Sequence, residues 1–253
     1  MHSSLSNSSL PGADGTVAAQ GSPAEQPVSE SWLKAVLWDM DGTLVDTEPH
    51  WIDAERALVE EFGGTWRHSQ AIELVGQSLW HSAGILQQAG VALGKREIID
   101  ELTRRVIGRI RLELPWRPGA RELLADLRNA GVRCALVTMS EGPLAAEILA
   151  ALPDGSFEFM VTGDQVEHGK PHPEPYLRAI EQLRETDPEL AAAHCLALED
   201  SVPGVTSALA AGLLTVGIPH TVPLPDDPAR VTWDTLAGTT AADLMALKAT
   251  AQT

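Results

Sequence analysis

Short apolar runs alternate along this chain with longer stretches of helical spacing. Ala35-Val36-Leu37-Trp38 is uninterrupted, and it ends at once in two aspartates one residue apart, Asp39 and Asp41, followed by Gly42 and Thr43. A run this short and this apolar predicts a strand buried on both faces of a parallel sheet. Further strands are predicted at 133–138, 159–163, 195–200 and 214–218, with a weaker one near Thr235-Leu236. Helical spacing fills the intervals at 119–130, 142–151 and 173–185. It also fills a stretch ending near Gly212 and another starting about residue 240. This alternation predicts an α/β fold, a doubly wound parallel sheet with a Rossmann-like core.

One interval breaks the rhythm. Helical patterns at 49–62, 68–75, 78–89 and 95–113 follow the first strand with no strand between them. Pro49 near the start and Gly63 after the end mark the first of these helices. The stretch is too long for an ordinary crossover, so residues 49–114 are expected to form an inserted all-helical cap. Residues 32–48 and 115–253 then make the Rossmann-like core. The cap joins it through two proline-marked connections, Thr47 to Pro49 and Leu114 to Pro118.

Open parallel sheets place their chemistry beyond the carboxyl ends of the strands. Four such ends carry polar groups: Asp39 and Asp41, Thr138, the Gly169-Lys170-Pro171 loop, and Glu199-Asp200. Gly42 lets the backbone turn so that Asp39 and Asp41 converge. Taken singly, each has a structural reading. An aspartate can cap a turn, a lysine can be solvated, a strand-end threonine is common, and Glu199-Asp200 can precede a helix that Ser201 caps.

Together they resemble the haloacid-dehalogenase superfamily, whose motifs occur in this order. Asp39-Met40-Asp41-Gly42-Thr43 is similar to its first motif. Gly169 to Pro175 and Glu199 to Val205 are close to the subgroup with a helical cap after that motif. The resemblance implies a phosphomonoester hydrolase with Asp39 as nucleophile and Asp41 as acid and base. Thr138 and Lys170 would bind the phosphoryl group, with the amides of Met40, Asp41, Met139 and Ser140 as further donors. It also implies a metal held by Asp39, the Asp41 carbonyl and Asp200, with Glu199 ligating through water or standing behind. Cap residues Trp51, Gln77 and Ser78, with Trp80 and His81, are candidates for substrate contact. Glu48-Pro49-His50-Trp51 resembles bacterial hexitol and 2-deoxyhexose-6-phosphate phosphatases, so the expected substrate is a small sugar or polyol phosphate. A β-phosphoglucomutase-like phosphomutase is the alternative. Trp51 stands where that pattern has a histidine. A non-catalytic binding protein on the same fold is a second alternative. Dehalogenases lack the second aspartate, so Asp41 points to phosphate chemistry.

Charge sharpens the metal expectation. The formal net charge is −17, from 35 acids and 18 bases. This excludes a general nucleic-acid binder. Four carboxylates and a phosphate cannot share a pocket uncompensated, because each unit-charge pair at ~4 Å repels by ~4 kcal/mol at an effective dielectric of about 20. Oxygen ligands without a nearby Cys or His cluster favour Mg²⁺. No apolar run approaches the ~20 residues of a membrane helix. Residues 1–31, rich in Ser, Gly, Ala and Pro, read as a disordered tail without a signal-peptide core. Cys134 and Cys195 read as buried reduced thiols, which suits a cytoplasmic protein. A monomer or weak homodimer is the expected assembly, with a small phosphorylated metabolite as partner.

Overall fold

A computed structural model describes residues 31–250. The expectation for the N-terminal tail therefore falls, up to residue 30, outside the described residues. Six strands form one parallel sheet: β1 (Ala35–Trp38), β2 (Arg133–Val137), β3 (Met160–Val161), β4 (Cys195–Glu199), β5 (Leu214–Gly217) and β6 (Val231–Thr232). Their order is β3-β2-β1-β4-β5-β6. β1 is central, with Leu37 opposite both Ala135 and Ala197. The order reverses across β1, which is where an open α/β sheet opens a crevice for ligands.

Alternate residues of these strands feed two apolar layers. Val36, Trp38, Leu136, Leu196 and Leu198 face one layer, with helices α5 (Ala120–Asn129) and α9 (Ala241–Thr250). Ala35, Leu37, Val137, Cys195 and Ala197 face the other, with α7 (Glu174–Arg184) and α8 (Val202–Ala210). Both cysteines are free and buried, and burial pushes each thiol up to about 12. Among the described residues no helix is long and apolar enough to cross a membrane.

Four helices lie between β1 and α5, as the periodicity predicts: α1 (Glu48–Glu61), α2 (His68–Ile72), α3 (Leu79–Gln88) and α4 (Lys95–Ile110). The two connections to this insert lie side by side. Asp46 N donates to Pro115 O at 2.6 Å and Arg117 N to Leu44 O at 3.1 Å, so the crossings form a two-stranded neck. A second tie runs from α4 to α6 (Gly142–Ala150). Arg96 grips Glu141 with two hydrogen bonds of 2.7 Å, and Arg111 grips Glu147 with two of 2.8 Å.

One strand assignment is corrected. The last strand is at Val231–Thr232, opposite Val216–Gly217, and not at Thr235-Leu236. The Thr235 hydroxyl accepts from Ala237 N and starts a turn. That turn lays the Leu236 carbonyl against Gly119, where a Cβ would collide with it. Leu236 is thus buried by contact with the head of α5 and takes no part in the sheet.

Candidate active site

The site begins with the turn after β1. Gly42 has φ 90° and sends the chain back, so that Leu44 N and Val45 N both donate to Met40 O. A Cβ at Gly42 would strike the Asp200 carboxylate, so glycine is required by space as well as by φ. The turn leaves Asp39 at the tip of the central strand and Asp41 beyond it, facing the head of α1.

Lys170 is the electrostatic centre. Its Nζ lies 2.6 Å from Asp39 Oδ1, 2.6 Å from Glu199 Oε1 and 2.9 Å from Val137 O. Burial alone would drive off its proton. The two carboxylates outweigh that and hold its pKa above the ordinary lysine value. Its loop is fixed by the Gly169–Met139 contact, by Lys170 N donating to Met139 Sδ at 3.0 Å, and by Ser207 Oγ donating to His172 O at 2.7 Å. The Lys170–Pro171 peptide is cis.

Asp39 has one oxygen on Lys170, while its Oδ2 is buried with no hydrogen-bond partner. Burial raises its pKa, and Lys170 pulls it back only in part. Asp200 is raised for the same first reason, then by Asp39 and Glu199. Oxygens of Asp39, Glu199 and Asp200 lie within 4.8 Å of one another. An orphaned buried oxygen within an all-oxygen acidic set fits a hard divalent cation such as Mg²⁺. The set is not symmetric. Glu199 Oε1 already receives Lys170 and the Tyr176 hydroxyl (2.5 Å), and Ser201 Oγ lies 3.4 Å from Oε2. Ser201 also caps α8 by accepting from Gly204 N, which leaves Glu199 and Asp200 free of that task. Gly204 gives the Glu199 carboxylate its room, since a Cβ there would overlap it.

Asp41 accepts from four side chains. Thr47 Oγ1 and Trp51 Nε1 (3.4 Å) reach Oδ1, and Thr138 Oγ1 (3.2 Å) and Ser140 Oγ (2.7 Å) reach Oδ2. Two of the donors expected for the phosphate have protein partners here. The Thr138 hydroxyl, read as a phosphate donor, is turned to Asp41. The Ser140 amide, read likewise, donates to Thr138 Oγ1 at 3.0 Å. Both follow from Asp41, an acceptor within reach of both hydroxyls. The strand-end segment 138–140 folds around that carboxylate.

A single cavity joins these groups to the insert. Asp39, Asp41, Thr138, Met139, Ser140, Lys170 and Asp200 line one end, and Trp51 and Gln77 line the insert side. Met40 is fully buried beneath the turn, and its side chain lies in the core. Three other cap candidates stand outside. Ser78 Oγ accepts from His81 N and caps α3. Trp80 is exposed with Arg96 above its ring, and His81 is exposed. Their spacing puts them on the outer face of α3, while the inner face presents Leu79 and Ser82.

Sequence reasoning missed Glu48, Glu55, Ser82 and Tyr176. Glu48 and Glu55 sit among the apolar positions of α1, seven residues apart, and that misplaced polarity was the available signal. Burial first, then Asp41, pushes Glu48 up to about 8. Tyr176 left no signal beyond being the only tyrosine in the chain.

A family model described as haloacid dehalogenase-like hydrolase matches residues 33–212. The chain is 32% identical over 197 residues to the phosphorylated carbohydrates phosphatase of Thermotoga maritima, covering 75% of this chain and 87% of that protein. It is 35% identical over 193 residues to hexitol phosphatase A of Escherichia coli, covering 73% and 82%. Among solved structures, CbbY from Rhodobacter sphaeroides in complex with phosphate matches with a TM-score of 0.75 at 25% identity. That match covers 84% of this chain and 99% of that one.

Proposed function

The chain belongs to the haloacid dehalogenase-like hydrolases, and on that footing we propose that it is a Mg²⁺-dependent phosphomonoester hydrolase. It works through an aspartyl-phosphate and acts on a small sugar or polyol phosphate. The observation that carries the reading is the contrast between two neighbouring aspartates. Asp39 has one oxygen clamped by Lys170 and one left unpartnered, and Asp41 is surrounded by four donors. The relatives named as phosphatases of phosphorylated carbohydrates and hexitols support the substrate class.

Asp39 attacks phosphorus through a carboxylate oxygen, forming an O–P bond as the ester P–O bond breaks. Asp41 delivers its proton to the departing alkoxide. It then takes a proton from a water that attacks the same phosphorus, and the acyl-phosphate bond breaks to return Asp39. Lys170 holds Asp39 in line and offsets the charge that builds on the phosphoryl oxygens. Thr138, Ser140 and Thr47 hold Asp41 facing the leaving oxygen. Asp39, Asp200 and the Asp41 carbonyl would hold Mg²⁺, which supplies charge neutralisation for a phosphate entering an acidic pocket. Glu199 supports both neighbours from behind, fixed by Tyr176.

Residues 49–114 act as a cap that swings on the neck at 44–46 and 115–117 and closes over the substrate. The test is a phosphate-release screen over sugar and polyol phosphates with Mg²⁺. Glucose 1-phosphate and glucose 6-phosphate are followed for isomer exchange in the same tubes. Phosphate is the expected main product, without a bisphosphate activator. Isomer exchange outpacing phosphate release would make the protein a mutase and overturn the reading.

A further inference from the structure

One wall of the cavity takes no part in phosphoryl transfer. It is the inner face of α1, where Glu48, Trp51, Ile52 and Glu55 follow one another at intervals of three, one and three residues and share one stripe. Trp51 ties this stripe to the reacting end through Asp41. Glu55 lies one turn farther on, about 6 Å along the helix axis.

Glu55 is 6% exposed, and its Oε2 is buried with no hydrogen-bond partner. Burial pushes its pKa up to about 8. The neighbouring Trp66 indole N–H, set against the carboxyl, eases this only in part. A buried carboxyl oxygen without a donor is costly, and Glu55 lines a cavity that a ligand would fill. Ser82 and Gln77 are the polar residues across from it; Ala71, Leu74 and Leu79 complete the wall.

The distribution of charge narrows what can enter. Among the described residues that line the cavity, Lys170 is the only cation, and it is committed to Asp39, Glu199 and Val137 at the far end. A second phosphate or a carboxylate placed beside α1 would find no counter-charge there. A hydroxyl there would meet an acceptor that lacks a donor.

We propose that Glu55 is a specificity-determining residue: its carboxyl pairs with a substrate hydroxyl remote from the phosphate, in a wall that holds no cation for a second anionic group. The substrate class is thereby a neutral polyhydroxylated monophosphate, as opposed to a bisphosphate or a phosphorylated acid. The inference rests on the phosphatase reading above, and the experiment separates the two.

Phosphate release with Mg²⁺ is measured for wild type, Glu55→Leu and Glu55→Gln on sorbitol 6-phosphate, n-hexyl phosphate and fructose 1,6-bisphosphate. The readout is the ratio of kcat/KM between substrates, which does not depend on the active fraction of a preparation. A site built to hydrogen-bond a hydroxyl loses discrimination steeply when its partner is removed. Glu55→Leu is therefore expected to lower the sorbitol 6-phosphate to hexyl phosphate ratio by about 10- to 100-fold. Glu55→Gln keeps an acceptor and, like the protonated carboxyl, carries no charge. It should retain most of that ratio and leave relative turnover of the bisphosphate low. A Glu55 that served only folding would change stability and leave the ratios where they are. Unchanged ratios in an active Glu55→Leu, or in Glu55→Ala where the leucine variant does not fold, would overturn the inference and leave the phosphatase reading standing. Wild type that releases phosphate from none of the esters would overturn both.

Discussion

Replacing Lys170 by methionine shortens the side chain by one atom and removes its charge and all its donors. Asp39 Oδ1, Glu199 Oε1 and Val137 O then face a methyl group in place of an ammonium. Each lost ion pair at 2.6 Å is ~6 kcal/mol of attraction at an effective dielectric of about 20. Most of that attraction offsets the cost of burying the lysine and both carboxylates. Removing only the cation leaves the acids buried and unpaired, and comparable cases lose ~3–5 kcal/mol. Equilibrium urea unfolding in a chelating buffer, so that no divalent ion substitutes for the lysine, should show a loss of that size. It should appear as a lower midpoint with an unchanged slope. The double variant Lys170→Met/Glu199→Gln removes one stranded charge and should recover at least ~1 kcal/mol of the loss. A single variant costing less than ~1 kcal/mol, or a double variant less stable than the single, would refute the assignment of Lys170 as the cation that compensates this pocket.

Gly42→Ala should fold less stably and lose activity that excess Mg²⁺ does not restore, because its Cβ displaces the Asp200 carboxylate; activity and Mg²⁺ titrations check this. Chelation should abolish phosphatase activity and Mg²⁺ should restore it; full activity in excess chelator would contradict the acidic metal site. Glu55 has a folded pKa of about 8 against an ordinary 4.5, so the folded chain keeps a proton that the unfolded chain has lost between those values. Its stabilising contribution is full below pH 4.5 and is lost as pH rises through 8. Glu55→Gln should therefore gain on wild type between pH 5 and 8.5 by on the order of 4 kcal/mol, read from unfolding curves at each pH; Glu48 keeps part of the slope in both proteins.

The strands and the polar groups at their ends were legible because they depend on local signals. β1 is an apolar run cut off by Asp39, and Gly42 marks a turn that no other residue can make beside Asp200. The four helices between β1 and α5 were legible from their spacing, with no strand pattern among them. What the sequence left open depends on which way side chains turn. Ser78, Trp80 and His81 were candidates for substrate contact, but it is Leu79 and Ser82 of α3 that line the cavity. Thr138 was assigned to a phosphate, yet the nearest acceptor is Asp41, a contact between residues 97 positions apart. Tyr176 could be linked to Glu199 only by folding α7 against β4. β6 was misplaced because Leu236 is buried by a turn, and apolarity alone does not distinguish that from a strand.

The central claim is that Asp39 carries the phosphoryl group. The direct measurement is rapid acid quenching of the enzyme during turnover of a ³²P-labelled sugar phosphate with Mg²⁺, followed by hydroxylamine treatment of the precipitated protein. Wild type should retain protein-bound label that hydroxylamine releases, as an acyl phosphate does, and Asp39→Asn should be folded, unlabelled and inactive. Sustained phosphate release by verified Asp39→Asn, or hydroxylamine-labile label on that variant, would contradict the account.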